Sequence, residues 1–238
     1  MSKRVVIIIV EGDSDEELLI NRLREIFEDN EILFEPQNGD IFYDYNSDKP
    51  IKAIVGNIAK AILTKRKFKP SDILAILHIM DTDGCFVKEE NVIINSTQDI
   101  QTFYNPNSIS VIDRKQQDRI IKRNKKRRIN VKEVNSISSI VGSRYKYQLY
   151  YFSRNLEHVI FNEPNPKNKS KYDNIEEFLD NLTEPIEQYL MRYLPDLANT
   201  NYSDNYRQSW SFIEQEINSL QRFTNVPLLI DFINEIIK

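Results

Sequence analysis

The sequence predicts an α/β fold, with a mostly parallel sheet flanked by helices and a helical C-terminal part. Three observations predict it. "VVIIIV" (5–10) and "ILAILHIM" (73–80) are continuous apolar runs, as expected of parallel strands covered on both faces. Segments with helical periodicity alternate with such runs. Beyond about residue 174 only helical periodicity remains. The chain therefore divides into an α/β core over 1–163 and a helical subdomain over 172–238. A linker with Pro164, Pro166 and the polar run 165–171 joins them.

Taken in order, 4–10 reads as a buried strand. "SDEELLINRLREIF" then places Leu18, Leu19, Leu23, Ile26 and Phe27 on one helical face. "EILFE" (31–35) reads as a short strand and 36–49 as a turn-rich insertion. "IKAIVGNIAKAILTKR" (51–66) has helical spacing at Ile51, Ile54, Val55, Ile58, Ala59 and Ile62, and is broken by Pro70-Ser71-Asp72. The second apolar strand ends at Asp81-Thr82-Asp83-Gly84. Residues 89–107 read as a loop or small insertion, 108–112 as a third strand, and 113–128 as a basic helix. "YKYQLYYFS" (145–153) reads as a further strand and "NLEHVIF" (155–161) as a helix. Three amphipathic segments follow, near 174–194, 205–222 and 226–237.

The chain has 238 residues and a formal net charge of −4. The charge is uneven: 111–154 holds 13 Lys/Arg against 3 Asp/Glu, and 171–238 holds 5 against 12. A basic middle of this kind can mark a phosphate-binding surface. The single cysteine, Cys85, excludes an intrachain disulfide and a zinc knuckle and agrees with a reducing compartment. The run at 5–10 is too short to span a bilayer and lacks the length and cleavage site of a signal peptide. The expectation is a cytoplasmic protein with no membrane partner.

Both buried strands deliver carboxylates at their C-terminal ends. The first delivers Glu11, with Asp13, Asp15 and Glu16 nearby; the second delivers Asp81 and Asp83. In open α/β sheets ligands bind outside the carboxyl ends of the strands. Clustered carboxylates repel unless a cation or proton sits among them, and carboxylate oxygens are the usual ligands of Mg²⁺. If the strands are neighbours, the tips converge on a divalent-ion site. Gly12 would let the chain turn sharply there, and an extended Asp81-x-Asp83 would place both side chains on one face. Local structural roles compete with this reading. Asp13 with Glu16 fits a capping box, Asp15 and Glu16 suit the first turn of a helix, and D-x-D-G is a good turn sequence.

A strand followed by Glu-Gly, then a later strand ending Asp-x-Asp, resembles the TOPRIM domain. That catalytic fold is shared by topoisomerases, bacterial primases, recombination-repair proteins and OLD-type nucleases. "VVIIIVEGDSDEELL" and "ILAILHIMDTDG" carry the resemblance, which covers roughly residues 4–160. The Glu11 to Asp15 spacing is most similar to OLD-type nucleases and small stand-alone TOPRIM proteins of bacteria and phages, some of which serve in phage defence. The resemblance implies a TOPRIM-like (Rossmann-like) sheet and phosphodiester chemistry with Mg²⁺ or Mn²⁺. Glu11 would bind metal or act as general base, Asp15 would be a second ligand, and Asp81 and Asp83 would be the metal-binding aspartates. Glu157, on the helix after the last strand, would be a further ligand or else a helix N-terminal acid. Two features depart from the family pattern: Cys85 stands where a third aspartate often occurs, and 69 residues separate Glu11 from Asp81. His78 and His158 read as packing residues, and Cys85 has no local partner to make it a nucleophile.

"RKQQDRIIKRNKKRR" (114–128) carries nine Lys/Arg and one Asp. Arg119, Lys122, Arg123 and Lys126 share a helical face, and with Arg114 and Lys115 they are the candidates for holding a nucleic-acid backbone. A solvated helix docked on the acidic tail is the alternative. Tyr145, Tyr147, Tyr150 and Tyr151 could stack on bases, though sheet packing explains tyrosine on a strand. Arg114, Lys146 and Arg154 are candidates for the cation that stabilises a transition state. The expectation is a metal-dependent nuclease; the alternative is a non-catalytic nucleic-acid-binding subunit of a larger complex. No G-x-x-x-x-G-K-[ST] occurs, so nucleotide hydrolysis would need a partner such as an ATPase. Self-association is left open. A receiver-like phosphoacceptor with Asp81 as acceptor fits poorly, because Gly12 stands where it would need a second acid.

Overall fold

The structure is a computed structural model, and it describes residues 4–27, 31–36, 40–43, 49–166, 171–197 and 201–237. In chain order the elements are β1 (Val5–Val10), α1 (Asp13–Ile26), β2 (Glu31–Pro36), α2 (Ile51–Arg66), β3 (Ile73–Asp81), β4 (Val92–Ile94), β5 (Thr102–Tyr104), β6 (Ile109–Val111), α3 (Arg114–Asn135), β7 (Ser139–Ile140), β8 (Tyr145–Phe152), α4 (Leu156–Phe161), α5 (Lys171–Asn181), α6 (Ile186–Met191), α7 (Tyr202–Ile213) and α8 (Pro227–Ile237). The main sheet has the order β2-β1-β3-β8-β7. Its first four strands are parallel and β7 is antiparallel. This is a three-layer α/β architecture compatible with a Rossmann-like fold.

Strand alternation sorts the apolar runs into two cores. Val6, Ile8 and Val10 face α1, α4, α5, α6 and α8. Val5, Ile7 and Ile9 face α2, α3 and α7. Every residue of β1 is fully buried, which is why its sequence shows no polar alternation. Helices from 172–238 share both cores: Trp210 and Ile213 pack on one face, Leu229 and Ile233 on the other.

The stretch expected to be a loop or insertion between β3 and α3 is an insertion with structure of its own. It forms a small sheet, β4-β6-β5, over a satellite core of Val87, Val92, Tyr104, Ile109, Val111, Ile120 and Leu220. The strand expected at 108–112 therefore belongs to this second sheet. Of the insertion expected at 36–49, residues 40–43 form a turn, whereas 37–39 and 44–48 lie outside the described residues.

The far half of β8 has a strand neighbour on one side alone, because β7 reaches only Tyr145 and Lys146. Its other edge is closed largely by side chains. The Tyr206 hydroxyl accepts the Leu149 N–H at 3.1 Å and Trp210 Nε1 donates to the Leu149 carbonyl at 3.2 Å. Asn225 Oδ1 accepts the Tyr151 N–H at 2.8 Å, Thr224 Oγ1 donates to the Tyr151 carbonyl at 2.7 Å, and the Ser153 N–H donates to the Phe223 carbonyl at 2.8 Å. These contacts satisfy backbone groups that a paired strand would otherwise satisfy.

Candidate active site at the strand tips

β1 and β3 are adjacent and parallel, so Glu11 and Asp81 leave the sheet side by side at its carboxyl end. The helix after β1 is capped one residue earlier than the sequence suggested. Gly12 is the N-cap, and the Asp15 side chain accepts its N–H at 3.1 Å. The Asp13 side chain lies outside the described residues. Gly12 has φ −148° and ψ 166°, extended backbone that any residue adopts. A Cβ there would meet Asp15 Oδ2 at an ordinary 3.9 Å. The expected sharp glycine turn is therefore not at Gly12.

It is in the second strand's tip. Asp83 (φ 50°) and Gly84 (φ 64°) are both left-handed, and the turn closes with the Cys85 N–H on the Thr82 carbonyl at 2.9 Å. The expectation of an extended Asp81-x-Asp83 on one face is thereby corrected. The two carboxylates enter different surroundings.

Asp81 remains among acids. Burial raises its pKa well above the ordinary range, and Glu11, Asp15, Asp83 and Glu157 add to the effect. Glu11 is pushed up to about 8: burial is the largest cause, Arg127 works against it, and Asp83, Asp40 and Asp15 reinforce it. Glu11 Oε1 is buried with no hydrogen-bond partner among the described residues. Asp15 and Glu157 are themselves buried, at 7% and 5% exposure, so the sheet tip gathers Glu11, Asp15, Asp81 and Glu157.

Asp83 turns toward arginines. Its Oδ1 lies 2.5 Å from Arg154 Nη1 and its Oδ2 lies 3.3 Å from Arg127 Nη1. Arg123 Nη2 donates to its carbonyl oxygen at 2.8 Å. Burial opposes the Asp83 charge, but Arg127, Arg123 and Arg154 outweigh it and hold the pKa below the usual range. Tyr104 orders this side: Arg154 stacks 3.5 Å over its ring, and Arg123 donates to its hydroxyl at 3.1 Å.

Arg127, which the sequence reading did not single out, is the centre of the site. It is 1% exposed. Its guanidinium pairs with Asp40, donates to the Asp81 carbonyl, and lies 3.6 Å from Glu11 Oε1. α3 carries it on its buried stripe: Ile120, Asn124, Arg127, Val131 and Val134 all face inward. Asn124 and Arg128 on the same helix bond the carbonyls of Gly84, Cys85 and Val87. The basic helix thus grips the Asp-Thr-Asp-Gly turn by its backbone.

The six basic residues expected to hold nucleic acid take four places. Lys115, Arg119 and Lys122 line a groove of about 660 Å³ with Tyr43, Gln116, Asp113 and Asp118. Arg114 pairs with Asp118 at 3.2 Å. Lys126 donates to the Tyr43 carbonyl at 2.8 Å. Arg123 faces the acidic turn. Among the candidate cations, Arg154 stands at the site, whereas Lys146 lies at the opposite end of the sheet beside Ala75. Tyr145, Tyr147, Tyr150 and Tyr151 are buried in the cores and unavailable for stacking.

His78 is 1% exposed, bonded through Nδ1 to the Tyr147 hydroxyl at 3.0 Å and stacked on Phe42. Burial, with Arg127, lowers its pKa to about 3. His158 is also lowered, to about 4, by burial and then by Arg154 and Arg222. Cys85 is buried and its thiol is pushed up to about 11, chiefly by burial.

Among the described residues no three His, Cys, Asp or Glu side chains stand together closely enough to hold one ion. Mg²⁺ keeps several waters and is commonly held by one or two carboxylates with substrate phosphate. Glu11 and Asp81, at the tips of adjacent strands, are carboxylates of that kind. Comparison of the chain with protein families, curated proteins and solved structures finds no match. No described helix is long and apolar enough to cross a membrane.

Proposed function

We propose that the protein is a Mg²⁺- or Mn²⁺-dependent nuclease that hydrolyses nucleic-acid phosphodiester bonds at the β1 and β3 tips, as a TOPRIM-like enzyme would. The observation that carries this reading is the Glu11–Asp81 pair. Two carboxylates from adjacent strands meet where burial and neighbouring acids disfavour their charge. A divalent ion, when bound, supplies the positive charge that they lack and that a phosphoryl group needs. Glu11 would hold the ion or act as general base toward an attacking water. Arg154 and Arg123, which hold Asp83, would be the candidates for neutralising a phosphoryl oxygen. Lys115, Arg119 and Lys122 would hold the flanking backbone in the groove.

A second reading is favoured by one observation. Arg127 already pairs with Asp40 and Asp83 and lies beside Glu11. A self-neutralised site of that kind suits a non-catalytic nucleic-acid-binding subunit working with a partner such as an ATPase. Assays on single- and double-stranded DNA and RNA with Mg²⁺ or Mn²⁺ separate the two. Cleavage by the wild type, lost in Glu11→Gln and Asp81→Asn, supports the nuclease. Salt-dependent nucleic-acid binding with no cleavage supports the subunit.

A further inference from the structure

We infer that the Arg127 guanidinium takes the place of one of the two cations that a phosphodiester-cleaving carboxylate cluster can hold. The site would then accept one divalent ion, at Glu11 and Asp81, and not two. This inference rests on the metal-dependent reading above.

Asp40 and Asp83 belong to arginines: Arg127 pairs with both, and Arg154 takes the other Asp83 oxygen at 2.5 Å. Arg127 also takes the Asp81 carbonyl, while the Asp81 carboxylate feels Glu11, Asp15, Asp83 and Glu157. One guanidinium thus draws together Asp40, Asp83, Glu11 and a main-chain oxygen from three separate segments. A hard cation would gather the same kinds of oxygen.

Arg127 is also a fixture. It projects from the apolar stripe of a 22-residue helix and is 1% exposed. A guanidinium stays protonated at any working pH. An ion entering at Asp83 or Asp40 would meet this fixed positive charge at contact distance, and Arg154 beside it. At the Asp83–Gly84 turn two successive left-handed residues set the Asp83 carboxylate against Arg154 and Arg127. In this chain Asp83 therefore anchors Arg127 and Arg154 rather than a metal.

The test is an equilibrium titration of the full chain with Mn²⁺, counting bound ions per chain by electron paramagnetic resonance. Wild type, Asp81→Asn, Asp83→Asn and Arg127→Gln are compared. The expected result is one ion per wild-type chain. Asp81→Asn should weaken it about 10-fold or more, whereas Asp83→Asn should keep it. Arg127→Gln, where it folds, should gain a second ion. Two ions per wild-type chain, or equal loss in Asp81→Asn and Asp83→Asn, overturns the inference while leaving a metal-dependent nuclease standing. No bound ion and no cleavage overturns the nuclease reading, and this inference with it. The wild-type count does not depend on whether any variant folds.

Discussion

Glu11→Gln tests the electrostatics of the site without reference to activity. The ordinary carboxyl value of 4.5 is raised to about 8 in the folded protein. The folded state then holds the proton more tightly than the unfolded chain. Stability from this residue is complete below pH 4.5, falls as pH rises because the unfolded chain ionises first, and levels off above pH 8. Each tenfold change in proton affinity is worth about 1.4 kcal/mol, so roughly 3–4 kcal/mol is lost between pH 5 and pH 8. Gln matches the protonated carboxyl in size and cannot ionise. Urea denaturation with chelator present, at pH 5 and pH 8, measures the effect. All other titrating groups are common to both proteins, so the stability gap between them reports Glu11 together with its coupling to Asp81. The variant should be near wild type at pH 5 and more stable by about 3 kcal/mol at pH 8. A gap that does not widen with pH would refute the claim that burial and the neighbouring acids, rather than Arg127, decide the charge of Glu11.

Further outcomes follow from other parts of the molecule. Gly84→Ala places a Cβ at φ 64°, with Leu220 Cδ2 at 2.7 Å; it should cost about 1–3 kcal/mol in urea denaturation. Replacing Lys115, Arg119 and Lys122 together by Gln should lower the slope of log affinity against log salt by about 2–3 in a nucleic-acid titration. Cys85, buried with its thiol pushed up to about 11, should react with a thiol reagent at pH 8 only as fast as the protein unfolds.

Much of this architecture is legible in the sequence because period and burial leave a mark there. β1 and β3 are covered on both faces, so their apolar runs are unbroken. Glu11 and Asp81 stand out because charge ends each run. The Asp83 turn was less legible: D-x-D reads equally as an extended pair or as a turn, and the left-handed backbone at Asp83 and Gly84 decides it. Arg127 was hidden among nine basic residues. Its signal was positional. Ile120, Asn124, Arg127, Val131 and Val134 fall at the heptad spacing of a buried stripe, so the arginine occupies a position that the period assigns to the core. Asp40 could not have been found this way, since it reaches the site from a turn with no regular pattern.

The edge of β8 bears on where this chain could be divided. Nearly every group that seals the strand past Lys146 comes from residues 206–225, while every acid of the site comes before Asn162. A fragment ending at the linker would retain the strands, Glu11, Asp81 and Arg127. It would also bare the backbone donors and acceptors of Leu149 to Ser153, beside apolar surface stripped of Trp210 and Leu229. An open, apolar strand margin is a template for pairing with other chains. Such a fragment should precipitate in a concentration-dependent way, and the terminal helices would then be what keeps the protein monodisperse.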